Sequence, residues 1–212
     1  MKNAAETYEA DGDDQYVVAI RPDDKGGFAT RKFYCQRPIC DIREMAWATS
    51  MQCRFTGHVQ RRYSVAQHGV LVATLMYEPA IAMRGGTPYE GLMHDAHEGY
   101  VSDMAAPWKV TVKDYRPFET RIEHAMREQF GLPPTVSAGV KFADWCALYI
   151  EAEQLLGHNV TADWLQPEPG MRDYALKLYE GTSRYDLQRC WEPREAYDRF
   201  LTEYRLLRPL SV

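Results

Sequence analysis

Helix starts and stops are spelled out along this chain at short intervals, and that punctuation restricts its fold more than any other feature. Asp41 is followed by Glu44, and Ser64 by Gln67. Each pair has the form of a capping box: the first side chain caps backbone N–H groups and the second reaches back. Behind Asp41, the residues Ile42, Met45, Ala46 and Thr49 share one helical face, which predicts a helix from Asp41 to Gln52. The helix opened by Ser64 should run to about Tyr77, with Pro79 as its stop. Gly85 and Gly86 mark a loop, Tyr89 to Val101 reads as the next helix, and Pro107 breaks the chain again. Pro117 suits the first turn of a helix reaching Phe130, and Gly131-Leu132-Pro133-Pro134 ends it. Ser137 to Leu156 reads as a long helix ended by Gly157. After a loop marked by Pro167, Pro169 and Gly170, the segments Met171 to Tyr179 and Pro193 to Leu207 make the last helices.

Strand signals occur only near the start. Tyr16 to Ile20 is a β-rich run, Arg21 to Gly27 reads as a turn, and Phe28 to Cys35 is the returning strand of a small hairpin. Met1 to Asp14 is polar and acidic and is expected to be loosely attached. The expectation is an all-α helical bundle over 37–212 with an N-terminal extension over 1–36 that carries the hairpin.

At 212 residues, with 45% hydrophobic and 26% charged side chains, there is material for one sizeable core. The formal net charge of -5 argues against nucleic-acid polymers as partners, since phosphate tracking needs clustered Lys and Arg. A small phosphorylated ligand remains compatible, because a local pocket of cations is sufficient. The cysteines Cys35, Cys40, Cys53, Cys146 and Cys190 are odd in number and form no CxxC pair, which suits a reducing compartment. No secretory signal is visible at the start, and the best apolar run, Val70 to Met76, is too short to cross a bilayer. The expected location is the cytoplasm, without membrane association.

The chemistry-bearing segment is His94-Asp95-Ala96-His97-Glu98. On one continuous helix His94 and Glu98 would lie a turn apart on the same face. Two ligands from one helix cannot complete a metal shell, so others must come from neighbouring helices. His68, just inside its capped helix, is one candidate. Asp144 is another, flanked by Val140, Ala143, Ala147 and Leu148, where a carboxylate needs a cation or donors to offset desolvation. Each residue alone has an ordinary reading: a core histidine, a solvated carboxylate. In order, the pattern is one His, then His-Asp, then Asp, each on a separate predicted helix.

This pattern resembles the HD superfamily of metal-dependent phosphohydrolases, over about residues 29–156. The stretches Cys53-Arg54-Phe55, Tyr63 to His68, Leu92 to Asp103 and Val140 to Asp144 are similar to those of the 5′-deoxynucleotidases and the phage-type dATP triphosphohydrolases. The resemblance implies an HD-domain helical bundle with His68, His94, Asp95 and Asp144 as metal ligands. It implies Glu98 and Asp103 as acidic residues that orient water or act on the leaving group. It places Arg54, Lys109 and Lys141 toward phosphate, and Phe55 against the sugar where many relatives carry Trp. His97 falls outside the ligand pattern and is expected to line the ligand site. Two His and two Asp suit Mn²⁺, Co²⁺, Fe²⁺ or Zn²⁺, with a further Mg²⁺ accompanying the substrate phosphates. Such a metal acidifies bound water and polarises a phosphoryl oxygen.

The activity so implied is hydrolysis of a deoxynucleotide, with a dNTP triphosphohydrolase ahead of a dNMP 5′-nucleotidase. Hydrolysis of signalling nucleotides and a non-catalytic nucleotide-binding module are the competing readings. The relatives imply a homo-oligomer, a dimer or larger. If the chain is phage-encoded, its compartment would be the host cytoplasm. His58, His124 and His158 are expected at the surface. The aromatic residues Trp164, Tyr174, Tyr179, Tyr185, Trp191, Tyr197 and Phe200 are expected in the core or at a subunit interface.

Overall fold

The computed structural model describes residues 16–36, 38–157 and 168–210. The readings made for Met1 to Asp14, His158 and Trp164 lie outside the described residues. The described chain is mostly helical, with one small antiparallel sheet. The strands are Tyr16–Pro22 (β1) and Phe28–Tyr34 (β2), paired from Tyr16 opposite Tyr34 to Pro22 opposite Phe28. Pairing therefore runs two residues past Ile20, into the expected turn. The hairpin is fastened to the helices. Phe33 is fully buried and stacks on Tyr100 at 3.8 Å, while Arg31 bonds Glu44 through Nε at 2.6 Å.

The helices are Ile42–Met51 (α1), Val65–Leu75 (α2), Pro79–Ala82 (α3), Pro88–Met93 (α4), Glu98–Val101 (α5), Ala106–Thr111 (α6), Tyr115–Gln129 (α7), Ala138–Leu155 (α8), Met171–Gly181 (α9) and Pro193–Leu207 (α10). Both expected N-caps form: Asp41 accepts from the N–H groups of Arg43 and Glu44, and Ser64 accepts from that of Gln67. The reciprocal halves of the capping boxes do not. Glu44 instead accepts from Arg31 and from the Tyr100 hydroxyl, and the Gln67 side-chain oxygen accepts from Trp191 N–H. Distant donors outcompete the local ones, so these side chains tie elements together.

Two prolines expected to break the chain stand after the ends of α2 and α5, and they also open helices. Pro79 starts α3, and Pro107 lies in the first turn of α6, where its missing N–H costs nothing. Between α1 and α2 the chain makes a single 3₁₀ turn over Phe55–Gly57.

The centre of the molecule is α2. Nine of its residues are buried, His68 and Gln67 among them, and its mean composition is apolar all round, as befits a helix enclosed by others. Ala66 and Ala73 belong to one core with the hairpin, α1, α4 and α10; Leu71, Val72, Leu75 and Met76 belong to a second with α8 and α9. Among the aromatic residues, Tyr185, Tyr197 and Phe200 are buried, and Tyr174, Tyr179 and Trp191 pack partly buried against the cores. His58 and His124 are exposed.

Candidate metal centre

Close packing of α2 on α4 builds the site. A methyl group on Gly69 would sit 2.9 Å from the Leu92 carbonyl oxygen, and one on Gly91 would sit 3.3 Å from the Ala73 backbone. The absence of side chains at these two positions lets the helices approach, which brings His68, beside Gly69, to His94, three residues after Gly91. α8 then supplies Asp144 from the third side. One ligand atom each from His68, His94 and Asp144 lies within 4.8 Å of the others. His68 Nε2 is 3.1 Å from Asp144 Oδ1, and His94 Nε2 is 3.1 Å from Asp95 Oδ2. All four expected ligands are thus neighbours, though the tightest cluster is the His-His-Asp group.

The segment around His94 departs from the expected continuous helix. α4 ends at Met93, residues 94–97 form turns, and α5 begins at Glu98. Backbone bonds here run from residue i to i−3, including Ala96 N–H to Met93 O, Glu98 N–H to Asp95 O and Gly99 N–H to Ala96 O. That is the tighter 3₁₀ pattern. The cause is local: His94 Nδ1–H donates to the Gly91 carbonyl at 2.8 Å. In an α-helix that carbonyl would accept from Asp95 N–H. The imidazole occupies it, and the turn tightens.

The donor set suits a cation. The Gly91 carbonyl can only accept, so His94 carries a proton on Nδ1 and turns Nε2 inward. His68 likewise has Nδ1 against the Glu151 carboxylate at 2.6 Å. The two Nε2 atoms face each other at 3.3 Å. Two neutral imidazoles cannot hold their lone pairs so close unless a proton or cation lies between. Burial alone would lower both histidines, but Asp95 and Asp144 hold His94 well above the usual imidazole range, while Glu151 and Asp144 raise His68. Burial would push Asp144 up, yet hydrogen bonds with His68 and His94 hold it well below the carboxylate range. The site without metal therefore keeps protons where a metal would go.

A cleft of about 240 Å³ opens over this group. Asp144, with 40% of its side chain exposed, and Asp95, with 23%, border it. Glu98, Lys109, His97 and Lys141 line it as well, so these four expected residues do meet the metal group. Glu98 is buried; Lys109 Nζ donates to its Oε1 at 3.3 Å, and its Oε2 has no hydrogen-bond partner. Burial, with Asp95 and Asp103 adding to it, raises the Glu98 carboxyl well above its ordinary range. His97 is buried with Nδ1 unpartnered, and burial depresses its imidazole to about 4, so it stands neutral. Lys141 is exposed at the rim.

Arg54, Phe55 and Asp103 do not line the cleft. Arg54 is largely but not fully buried, donates from Nε to Glu151 Oε2 at 3.1 Å, and has Nη1 3.7 Å from Asp95 Oδ2. The Arg54 guanidinium lies over the Phe55 ring, 5.6 Å from its centroid. Phe55 and Thr56 have φ of 57° and 52°, left-handed backbone that costs such residues energy and re-aims the loop beside the site. The backbone N–H of Asp103 donates to Gln52 Oε1.

Sequence reasoning missed Glu151, Glu119 and Glu123. Glu119 accepts from Lys109 Nζ at 2.6 Å, and both α7 glutamates line the cleft. Glu151 stands seven residues after Asp144, two turns along the same face of α8 and flanked by apolar residues; that spacing was the available signal. Nothing local distinguishes Glu119 and Glu123 from solvated helix residues.

The fold and site together define a mostly helical bundle protein with a buried His-His-Asp group able to hold a metal ion. No helix among the described residues is long and apolar enough to cross a membrane. No family model matches the chain. It is 39% identical over 131 residues to the uncharacterized protein YfdR of Escherichia coli (strain K12), covering 60% of this chain and 70% of that protein. It is 30% identical over 149 residues to RCAP_rcc00048, an uncharacterized protein of Rhodobacter capsulatus, covering 65% of this chain and 76% of that protein. The chain belongs to the family of YfdR and RCAP_rcc00048.

Proposed function

We propose that this protein is an HD-domain, metal-dependent phosphohydrolase acting on deoxynucleotides. The observation that carries the reading is the convergence of His68, His94 and Asp144, with Asp95 beside them, under a cleft that also holds Glu98, Lys109 and Lys141. His68, His94, Asp95 and Asp144 would hold a divalent transition metal. When bound, that metal polarises a phosphoryl oxygen and acidifies a coordinated water. Lys109 and Lys141 bring positive charge to the non-bridging phosphate oxygens. Glu98, whose carboxyl is raised well above its ordinary range by burial and by Asp95 and Asp103, is suited to give a proton to the departing 5′-oxygen. Cleavage at the phosphorus nearest the sugar would release the nucleoside.

The charge of the cleft bears on how many phosphates it takes. With Glu98 set aside as the proton donor, Asp95, Glu119, Glu123 and Asp144 still outnumber Lys109 and Lys141 among its charged lining residues, leaving the histidines aside. A triphosphate meets more repulsion from these carboxylates than a monophosphate does. This supports a dNMP 5′-nucleotidase over the dNTP triphosphohydrolase that the resemblance puts first.

The test is a panel of dNMPs, dNTPs and ribonucleotides incubated with protein loaded with Mn²⁺ or Co²⁺, products separated by chromatography, and the same panel on Asp95→Ala. Nucleoside from dNMPs, lost in the variant, is the expected result. Triphosphate released from dNTPs would move the assignment to the triphosphohydrolase. No turnover despite bound metal would sink the reading.

A further inference from the structure

Glu151 has no part in the chemistry just described, yet its side chain is fully buried beside the metal group. Ala147, Ile150, Ala152 and Leu155 around it on α8 are buried too. A carboxylate in such a place is retained only with strong partners. Glu151 divides its two oxygens between them: Oε1 meets His68 Nδ1 at 2.6 Å, and Oε2 accepts from Arg54 Nε at 3.1 Å. Arg54 in turn approaches Asp95 Oδ2 at 3.7 Å. The carboxylate is thus joined to one proposed ligand directly and to a second through a guanidinium.

The geometry matters because an imidazole can coordinate through either nitrogen. Whichever ring nitrogen donates a hydrogen bond leaves the other with the lone pair. A carboxylate fixed at Nδ1 keeps the proton there, locks the ring plane and turns Nε2 toward Asp144 and His94. A carboxylate that could swing away would not lock it. Arg54 removes that freedom, at the cost of spending its Nε inside the protein.

We propose that Glu151 is a positioning residue for the metal, holding His68 with Nδ1 protonated and Nε2 presented, and that Arg54 is the clamp that fixes this carboxylate. The inference rests on the metal-holding part of the function proposed above and is independent of the substrate. It also gives Arg54 a duty other than the phosphate contact that the family resemblance implies.

Two measurements on the full chain test it. Long-range ¹H–¹⁵N correlation spectra of the Zn²⁺-loaded protein should show His68 protonated at Nδ1 with the metal on Nε2; the reverse arrangement overturns the proposal. Glu151→Gln keeps the shape of the side chain and removes its charge. Its Zn²⁺ affinity, measured by competition with a chromophoric chelator, should fall roughly 10- to 100-fold. Circular dichroism and melting in EDTA establish that the variant is folded. An affinity within about twofold of the parent in a folded variant overturns the proposal. If Glu151→Gln does not fold, the spectra of the parent decide. Arg54→Lys should also weaken Zn²⁺ binding. A raised KM for nucleotide with unchanged Zn²⁺ affinity would instead make Arg54 a phosphate contact and remove the clamp. A parent protein that binds Zn²⁺ but hydrolyses no nucleotide would sink the proposed function and leave this inference standing.

Discussion

At the scale of single residues, Glu98 shows the conflict between stability and function. Its carboxyl is buried, shares the cleft with other carboxylates and leaves Oε2 without a hydrogen-bond partner. Glu98→Gln removes a carboxyl that burial beside Asp95 makes costly to ionise, while Glu119 still holds Lys109. The variant should melt at or above the parent temperature. Its turnover should fall about 100-fold or more, the size of a lost general acid. Lower thermal stability with intact turnover would show that Glu98 serves packing and not chemistry. The proposed acidic ligands Asp95 and Asp144 were legible in the sequence because they joined the pattern of the family it resembles. Glu151 belonged to no such pattern, and its partners His68 and Arg54 stand 83 and 97 residues away along the chain.

Among elements, α8 carries the most consequence, since it positions both Asp144 and Glu151. Its first turn is anchored by Glu90, which accepts from Ser137 N–H at 2.9 Å, from the Ser137 hydroxyl at 2.6 Å and from Arg127 Nη2 at 2.8 Å. Arg127 and Glu90 are both almost wholly buried. Glu90→Gln would leave the buried guanidinium with Glu123, 3.6 Å from its Nη1, as its remaining counter-charge and should cost about 3 kcal/mol in denaturant unfolding. Gly139, in the same turn, meets backbone on its open side: a methyl there would lie 2.0 Å from Gly85 O and 3.0 Å from Ile81 O. Backbone cannot rotate aside as a side chain can. Gly139→Ala should therefore destabilise by about 3 kcal/mol and weaken metal binding by displacing Asp144. A variant with parent stability would show that the α3–α4 loop yields freely.

For the whole molecule, metal and pH are the available levers. A metal held by residues from α2, from the turn after α4 and from α8 binds the folded chain alone, so EDTA should lower the melting temperature. At a free metal concentration 100 times Kd the loss amounts to about 2.7 kcal/mol. An unchanged melting point after verified metal removal would count against a site in these positions. Stability should also fall at alkaline pH. Burial pushes the Cys40 and Cys146 thiols from 9.0 up to about 12. A group raised on folding contributes its stability below its unfolded value and loses it as pH rises toward the folded one. The loss should thus begin near pH 9 and continue toward pH 12. Cys40→Ala/Cys146→Ala should start less stable, for want of packing, but lose less across that window in melts at successive pH values.

The sequence by itself determined the helical class, the N-terminal hairpin, both N-caps and the order of the four proposed ligands, because capping, periodicity and Pro/Gly breaks act over a few residues. It read Pro79 and Pro107 as breaks, and helices do end before both, but it missed the short helices they open, since a proline that ends one segment is equally able to open the next. It made Tyr89 to Val101 one helix, since no local pattern says that His94 will take the Gly91 carbonyl. Only the tertiary structure decided where Glu44 and Gln67 spend their side chains, that Gly69 and Gly91 let α2 and α4 close on each other, and that Arg54 is held by Glu151. Those choices depend on which donors and surfaces arrive from far along the chain, and hydrogen bonding between distant residues leaves no period in the sequence to read.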